Sequence, residues 1–396
     1  MKAYLQFFGK SSGKQVENSM KVLRIWHAAV VAEYRKKIKA LAELPDVELC
    51  LLVPHVWREA GSEQRFRYDP EIDAGYRTEI GQVLNRNNIR RFVFTGKLFS
   101  LLKNFRPDII DIEEEPSAFV TAQAIFYRDL LGLKSPLIFH TAHNIAAPHK
   151  PIFEKVQRFV FRHTAAAIAR NSNAEELLRE KGFQRPIIRS GNGIDLEYFY
   201  PSAVDVSLKE RFHLQGKSVI GYVGKLKGAK GLATLLQAFA RLDDSHALLL
   251  LGTGGLQQNL VELAAELGVQ ARVHFVGSVP HDALPTYYRL MDVLVLPSET
   301  TAKWRESFGR VLIEAMASGV PVIGSSSGAI PETIGEAGLI FPEKNAEALA
   351  ETLTRCFSSP QLRETLARLG LKRATDFSWA SLAKISHEAY EKVLLK

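Results

Sequence analysis

The feature that most constrains the fold is a repeated alternation of short, continuously apolar runs with helical segments. The first series opens with an apolar run at 21–25, a helical pattern at 33–44 and a second apolar run at 47–53. Apolar runs of this length are typical of strands buried on both faces, and the strand–helix–strand order is typical of a parallel unit. The alternation continues as far as a strand predicted at 186–193.

A second alternating series follows an irregular Gly-, Asn- and Pro-containing stretch at 191–205, and runs from 218–224 to 337–342. Two successive α/β series predict two Rossmann-like, doubly wound domains facing a cleft, with the irregular stretch as a hinge that closes them. The sequence predicts an N-terminal extension at 1–19, for which disorder is one interpretation. Two domains follow at 20–195 and 196–379. A last helix at 380–396 is expected to pack back onto the first domain.

Cysteine content and apolar run lengths exclude several classes of protein. Cys50 and Cys356 are the only cysteines, which is too few for a disulfide framework or a four-thiolate metal site. No run matches a secretory signal or the roughly 18 apolar residues of a membrane span. We therefore expect a cytoplasmic protein.

The net charge of +8 is concentrated in the first half of the chain. Residues 1–200 contain 30 Lys and Arg against 23 Asp and Glu. Such an excess suits an anionic membrane surface, nucleic acid or a phosphorylated substrate, or else only solvated helix faces. No recognisable nucleic-acid module accompanies it, so we expect no nucleic-acid partner. The helix at 33–44, with Tyr34, Arg35, Lys36 and Lys37, is the predicted membrane-facing surface, at the inner face of the membrane.

Two stretches of the second series carry the candidate chemistry. At 222–239 a strand ends in a loop with Gly224, Lys225 and Lys230 and a helix begins, which suits a diphosphate. At 298–332, Glu306 lies in a loop and Glu314 inside the helix that follows. Ser307 is the predicted N-cap of that helix, and the amides of Phe308 and Gly309 are available to an anion. Because two carboxylates repel phosphate, we expect them to accept hydrogen bonds from hydroxyls. A ligand carrying both phosphate and sugar hydroxyls fits.

The run from Glu306 to Glu314, with EAMASGVPVIGS and SGAIPE after it, resembles the signature of glycosyltransferase family 4, retaining nucleotide-sugar transferases of the GT-B fold. The loop at 224–231, HFVG at 274–277, NGID at 192–195 and TAHN at 141–144 extend the resemblance over nearly the whole chain from Met20. By this resemblance Glu314 binds the ribose, Lys225 and Lys230 bind the diphosphate, and Glu306 with the amides of Phe308 and Gly309 contacts the donor sugar. Gly224 belongs to the phosphate loop, Phe275 and Gly277 lie near the base, and His143 lies near the transferred sugar.

The sequence departs from the family pattern at some positions. Lys225 replaces a frequent arginine, so charge is kept and the bidentate fork is lost. WHAAVVAEY at 26–34 stands where the family carries a glycine pair. There is no D-x-D motif, and the acidic run at 111–115 is interpreted as an acceptor-side or helix-start feature. We therefore expect no metal ion and no cofactor, with lysines and a helix N-terminus stabilising the leaving diphosphate.

The resemblance implies retaining, metal-independent hexosyl transfer from a nucleoside-diphosphate sugar to a hydroxyl of a saccharide or lipid-linked acceptor, in cell-surface polysaccharide or glycolipid biosynthesis. A same-face displacement needs no protein nucleophile, whereas a covalent route through Glu306 stays open. The alternatives are a GT-B nucleotide-sugar epimerase, a phosphorolytic enzyme, and a non-catalytic sugar-nucleotide binding protein.

Overall fold

The computed structural model describes residues 19–58, 65–70, 75–146 and 150–395. Of the extension predicted at 1–19, only Ser19 lies within these residues. Two large parallel sheets account for the two alternating series of the sequence.

The first sheet has seven strands in the order β11-β10-β9-β8-β1-β2-β5, and two antiparallel hairpins, β3–β4 and β6–β7, lie outside it. The strands are β1 Met20–Ile25, β2 Val47–Pro54, β3 Val56–Arg58, β4 Arg65–Arg67, β5 Arg77–Gly81, β6 Val83–Leu84, β7 Val93–Phe94, β8 Ile109–Ile112, β9 Leu137–Thr141, β10 Ala166–Ala169 and β11 Ile187–Arg189. The helices of this series are α1 Ala32–Ala42, α2 Lys97–Phe105, α3 Phe119–Leu130, α4 Pro151–His163 and α5 Ser172–Glu180.

The second sheet has six strands in the order β14-β13-β12-β15-β16-β17, and every adjacent pair is parallel. The strands are β12 Ser218–Val223, β13 His246–Leu251, β14 Val273–Gly277, β15 Val293–Leu296, β16 Val322–Ser325 and β17 Gly338–Phe341. The helices are α6 Val206–Arg211, α7 Leu232–Phe239, α8 Gln257–Glu266, α9 Leu284–Tyr288, α10 Arg310–Ala317, α11 Ile330–Ile334, α12 Ala346–Ser358, α13 Pro360–Thr375 and α14 Trp379–Leu394.

Burial explains why these strands read as unbroken apolar runs. All six residues of β13 are buried, as are all four of β15, because helices cover both faces of a parallel sheet. Taken in chain order, the second sheet is arranged 3-2-1-4-5-6, so the strand order reverses between β12 and β15. Ligands of open α/β sheets bind at the carboxyl ends of the strands at such a reversal.

Contact density divides the chain into two units. Within the described residues, the first runs to Glu114 and includes Ala118–Ile138, and the second comprises Glu115–Ser117 and the chain from Phe139 onward. In the second unit, Leu382 and Ile385 of α14 line a cleft with Arg170 and Gly191. The boundary expected at 195/196 stays a prediction.

None of the helices in the described ranges combines the length and apolarity needed to cross a bilayer.

Candidate active site

The predicted site lies in the second unit, where the strand order of its sheet reverses. β12 ends at Val223 and leads into the loop 224–231, and β15 ends at Leu296 and leads into the loop 297–309. Both loops therefore start from the carboxyl edge of the same sheet.

Glycines allow these two loops to pack backbone against backbone. Gly231 has φ +65°, and a Cβ there would lie 1.8 Å from the carbonyl oxygen of Pro297. The Glu299 amide donates to the Ala229 carbonyl over 2.9 Å, and the Thr234 hydroxyl donates to the Glu299 carboxylate over 2.7 Å. The two loops are thus held in one fixed arrangement.

Glu306 is a buried carboxylate with two partners. Its Oε2 lies 2.6 Å from Lys230 Nζ and accepts a 3.0 Å hydrogen bond from the Ser298 hydroxyl. Only 9% of the Glu306 side chain is exposed, against 21% of Lys230. The Lys230 ammonium also lies 4.6 Å from the centre of the Trp304 ring. The structure therefore joins two of the predicted residues, one from each loop.

The backbone carbonyls of the loop around Glu306 all accept hydrogen bonds. Asn144 Nδ2 donates to the carbonyls of Arg305 and Glu306, over 3.5 and 3.2 Å. Asn171 Nδ2 donates to the Ser307 carbonyl over 2.5 Å, and the Thr333 hydroxyl to that of Phe308 over 2.6 Å. Together these bonds fix the direction in which the peptide groups of the loop point.

The amides of Phe308 and Gly309, by contrast, donate to no acceptor within the part of the chain that the structure describes. Gly309, with φ +82°, caps α10, so these amides lie at the N-terminus of that helix. Free amides together with the helix dipole favour an anion there. The predicted N-cap, Ser307, is wrong: α10 begins at Arg310, because the chain needs the left-handed conformation of Gly309 to enter the helix.

Glu314 lies in the second turn of α10 and is 3% exposed. The Tyr288 hydroxyl donates to its Oε2 over 2.6 Å, and His281 Nε2 lies 3.8 Å from its Oε1. Burial first, and the charge of Glu314 second, raise the pKa of Tyr288 well above its ordinary value of 10. Tyr288 is therefore a permanent donor, which orients the carboxylate and leaves Oε1 as the acceptor for further hydroxyls.

Four other predicted residues lie after β12 or within β14. Gly224 and Lys225 follow β12, and the Tyr222 hydroxyl donates to the Lys225 carbonyl over 2.9 Å. Lys225 is exposed, and no carboxylate of the described residues pairs with its ammonium. Phe275 and Gly277 belong to β14, where the Gly277 carbonyl accepts from the Gly252 amide over 2.7 Å.

His143 follows β9 in the second unit. Its backbone amide donates to the Thr141 hydroxyl over 3.2 Å, and Thr141 in turn donates to Glu115 over 2.6 Å. The next residue, Asn144, binds the carbonyl of Glu306. His143 is therefore one residue away from a direct contact with the Glu306 loop.

Most carboxylates of the acidic run 111–115 form ion pairs within the first unit. Asp111 pairs with Arg24, both fully buried, and Glu113 pairs with Arg24 and, at 3.1 Å, with Lys37. Glu114 lies 2.5 Å from His27 Nδ1. Desolvation is the main reason that the pKa of Lys37 falls and that of Glu114 rises from ordinary values.

These contacts correct the predicted membrane-facing surface of α1. Lys37 is 8% exposed and points at Glu113. Arg35 is 3% exposed and donates to the carbonyls of Ala29 and Asp69 over 3.1 and 3.0 Å. Neither charge faces solvent, because the acidic run and the free carbonyls of unit 1 bind both. Their sequence neighbour Lys36 is partly exposed and pairs with Glu33.

Three contributors to the site escape prediction from sequence. Asn144 was part of a recognised motif but had no assigned role, and Ser298 and Tyr288 had no signal of their own. Ser298 and Tyr288 each donate one hydrogen bond to the carboxylate of Glu306 or Glu314, and Asn144 donates to the carbonyls of Arg305 and Glu306. Only the folded geometry identifies such partners.

Comparisons with known proteins identify the family of the chain. The model for "Glycosyltransferase Family 4" matches residues 38–198, and that for "Glycosyl transferases group 1" matches 206–373. The D-inositol 3-phosphate glycosyltransferase of Corynebacterium jeikeium is 31% identical over 51% of this chain and 50% of its own length. The GDP-mannose-dependent alpha-(1-6)-phosphatidylinositol monomannoside mannosyltransferase of Mycobacterium tuberculosis is 30% identical over 48% of this chain and 52% of its own. The chain thus spans about half the length of these relatives.

Among solved structures, Anabaena HepE in complex with UDP superposes with a TM-score of 0.71. The identity is 18%, and the match covers 94% of this chain and all of that one. This likeness shows the fold. The two family models together span most of the chain, and the second sheet has the strand order of a Rossmann-like domain. The chain belongs to glycosyltransferase family 4 and has the GT-B fold.

Proposed function

We propose that this protein transfers a sugar from a nucleoside-diphosphate sugar to a hydroxyl of a saccharide or lipid-linked acceptor, with retention at the anomeric carbon. The observation that carries the proposal is the loop 305–309, which binds all its carbonyls internally and leaves the amides of Phe308 and Gly309 free beside the Lys230–Glu306 pair. Such a site offers positive charge to a diphosphate and carboxylates to sugar hydroxyls.

The donor is placed by groups of the second unit. Lys225, Lys230 and the free amides bind the diphosphate, and Glu314 accepts hydrogen bonds from the ribose with Tyr288 holding its carboxylate. The base lies near Phe275 and Gly277. The relative whose name specifies GDP-mannose and the structural neighbour that holds UDP support a nucleotide donor.

The chemistry follows from where charge develops. The acceptor oxygen bonds to the anomeric carbon as the bond from that carbon to the diphosphate breaks, and a phosphate oxygen takes the acceptor proton. The departing diphosphate gains negative charge, which the two lysines and the free amides stabilise more strongly in the transition state than in the ground state. Glu306 holds the sugar hydroxyls, and His143 contacts the transferred sugar.

The lysines and the helix N-terminus are proposed to do this without a metal ion. Activity should therefore persist in EDTA, and a requirement for added manganese would contradict this part of the proposal. We further propose that the protein is cytoplasmic and acts in cell-surface polysaccharide or glycolipid biosynthesis. Its two domains would close about 191–205, and its basic first half would lie near an anionic membrane.

Product analysis tests the reaction. The protein is incubated with a panel of nucleoside-diphosphate sugars and a lipid and polysaccharide extract, in phosphate-free buffer, and the products are followed by NMR. Transfer with retention gives a glycoside of the donor's anomeric configuration and one equivalent of nucleoside diphosphate, both lost in Glu306→Gln. An epimerised sugar nucleotide without glycoside, or an inverted anomer, would contradict the proposal.

A further inference from the structure

The first unit contains a cleft of about 630 Å³ lined mainly by arginines. It is formed by the β3–β4 hairpin and the loop that follows β6. Its polar lining residues are Arg58, Arg65, Arg67, Asn85, Arg86 and Asn87. No aspartate or glutamate of the described residues lines it.

The register of the hairpin places three of these arginines on one face. Arg58 stands directly opposite Arg65, and Arg67 stands opposite Val56. Directly paired residues of an antiparallel ladder share a face with Cβ atoms only about 5 Å apart, and like charges in that position are destabilising. The hairpin therefore concentrates positive charge in an arrangement that folding alone disfavours.

The opposite face of the hairpin fixes this arrangement. Trp57 is 4% exposed and packs against His27 and Phe92, with ring centres 4.4 and 5.0 Å away. Because Trp57 is anchored and side chains alternate along a strand, its neighbour Arg58 must point to the other side. The arginine face is thus held in place by the core of the unit.

The fourth arginine comes from a loop whose shape is also fixed. Asn85 has φ +54°, its backbone carbonyl accepts from the Asn88 amide over 3.0 Å, and its side chain donates to the Arg91 carbonyl over 3.3 Å. The Arg58 amide donates to the Arg86 carbonyl over 3.4 Å, which ties this loop to the hairpin.

Several arginines of this unit have carboxylate partners, and three of the four cleft arginines differ from them. Arg77 pairs with Glu79, and Arg128 pairs with Asp129. Arg65, Arg67 and Arg86, in contrast, form no ion pair with any residue that the structure describes. Within the described part of the chain, the guanidinium groups of Arg65, Arg67 and Arg86 therefore have no counter-charge.

We propose that this cleft binds a phosphate group of an anionic ligand. Guanidinium forks match phosphate oxygens in a bidentate manner, and the side-chain amide of Asn87 adds a neutral donor. The volume falls within the usual range of ligand pockets, which leaves room for an organic group attached to the phosphate. The site lies on the first unit, whereas Lys225 and Lys230 of the proposed donor site belong to the second.

Calorimetric titration of the full chain with inorganic pyrophosphate tests this site. Arg65→Gln with Arg67→Gln should weaken one class of binding at least about tenfold, because two charge-assisted contacts are lost. The matched control, Lys103→Gln with Lys134→Gln, removes two exposed charges of the same unit and should leave that binding unchanged. Equal affinity in the two double variants would overturn the proposal.

A further variant separates this site from the donor site. Lys230→Gln alters only pyrophosphate bound by the second unit, so binding at the cleft should survive in it. If all pyrophosphate binding disappears in Lys230→Gln, the cleft proposal fails while the donor site stands. If only the cleft variant loses binding, the cleft stands whatever the fate of the donor site.

Stability and vesicle measurements complete the test. Without anions, the cleft variant should melt at or above the temperature of the unaltered protein, because like-charge repulsion is relieved; a lower melting temperature would contradict the unpaired-charge argument. Sedimentation with phosphatidylglycerol vesicles but not phosphatidylcholine vesicles, lost in the cleft variant, would identify a lipid phosphate. Cleft-dependent pyrophosphate binding without such sedimentation would identify a soluble phosphate ester.

Discussion

Removing the ammonium of Lys230 should destabilise the second unit, because Glu306 would keep a buried charge with only the Ser298 hydroxyl as partner. Breaking a fully buried pair costs about 3–5 kcal/mol, and an exposed pair contributes about 0–1 kcal/mol. The side chains here are 21% and 9% exposed, so the pair lies between these limits. We expect Lys230→Met to cost about 2 kcal/mol, or about 4–8 °C in Tm for a unit of this size.

A second variant also removes the buried negative charge of Glu306. Lys230→Met combined with Glu306→Gln should recover most of the lost Tm, since a neutral amide still accepts from Ser298. Lys227→Met, at an exposed position in the same loop, is the matched control and should melt like the unaltered protein. Thermal unfolding followed by circular dichroism measures all four proteins. A single variant within 1 °C of the unaltered protein, or a double variant no better than the single, would refute the reasoning.

Three further predictions concern the backbone and the buried charges. Gly231→Ala should destabilise the second unit by more than about 2 kcal/mol, because the alanine would have to adopt φ +65° and its Cβ would contact a carbonyl oxygen. The control Gly228→Ala places a Cβ with nothing within 4 Å and should unfold at the same urea concentration as the unaltered protein. Asn144→Ala should lower kcat more than it raises the donor KM, with about 1 kcal/mol lost in stability. The variant loses the hydrogen bonds to the carbonyls of Arg305 and Glu306 and leaves the Ala329 amide as the remaining donor to Glu306; equal stability and kcat would contradict this. Burial raises the pKa of Glu114, so the folded state binds more protons than the unfolded state and the free energy of unfolding falls as pH rises above 4.5. Glu114→Gln should flatten the dependence of Tm on pH in melts from about pH 4 to 8. An unchanged dependence would contradict this prediction.

Much of the fold can be predicted because the periodic signal is local. The apolar runs predicted at 47–53 and 246–252 correspond to β2 and β13 within one residue at each end. The segment 54–106 gave no such signal, because β3 to β7 are two to five residues long and three residues cannot show a period. The arginine cleft lies in that segment. Its residues are brought together by the register of the β3–β4 hairpin, which the sequence pattern does not predict.

The candidate site divides in the same way. Lys230 and Glu306 could be predicted because each follows a strand of one sheet, and the carboxyl ends of parallel strands share an edge. The burial of Arg35 and Lys37 could not, because a charged helix pattern ordinarily indicates a solvated face. Here Glu113, which follows β8, and the carbonyl groups near α1 provide partners that only the folded unit brings together.

Nucleotide-dependent melting tests whether a nucleoside diphosphate binds around α10. UDP, GDP, ADP and dTDP are added at matched concentrations in EDTA to the unaltered protein, to Glu314→Gln and to Glu388→Gln, an exposed control on α14. A ligand that binds only the folded state at a hundredfold excess over Kd stabilises it by about 2.7 kcal/mol. One nucleotide should raise the Tm of the unaltered protein and of the control but not that of Glu314→Gln. No shift with any nucleotide, or an equal shift in all three proteins, would contradict a nucleotide site at Glu314.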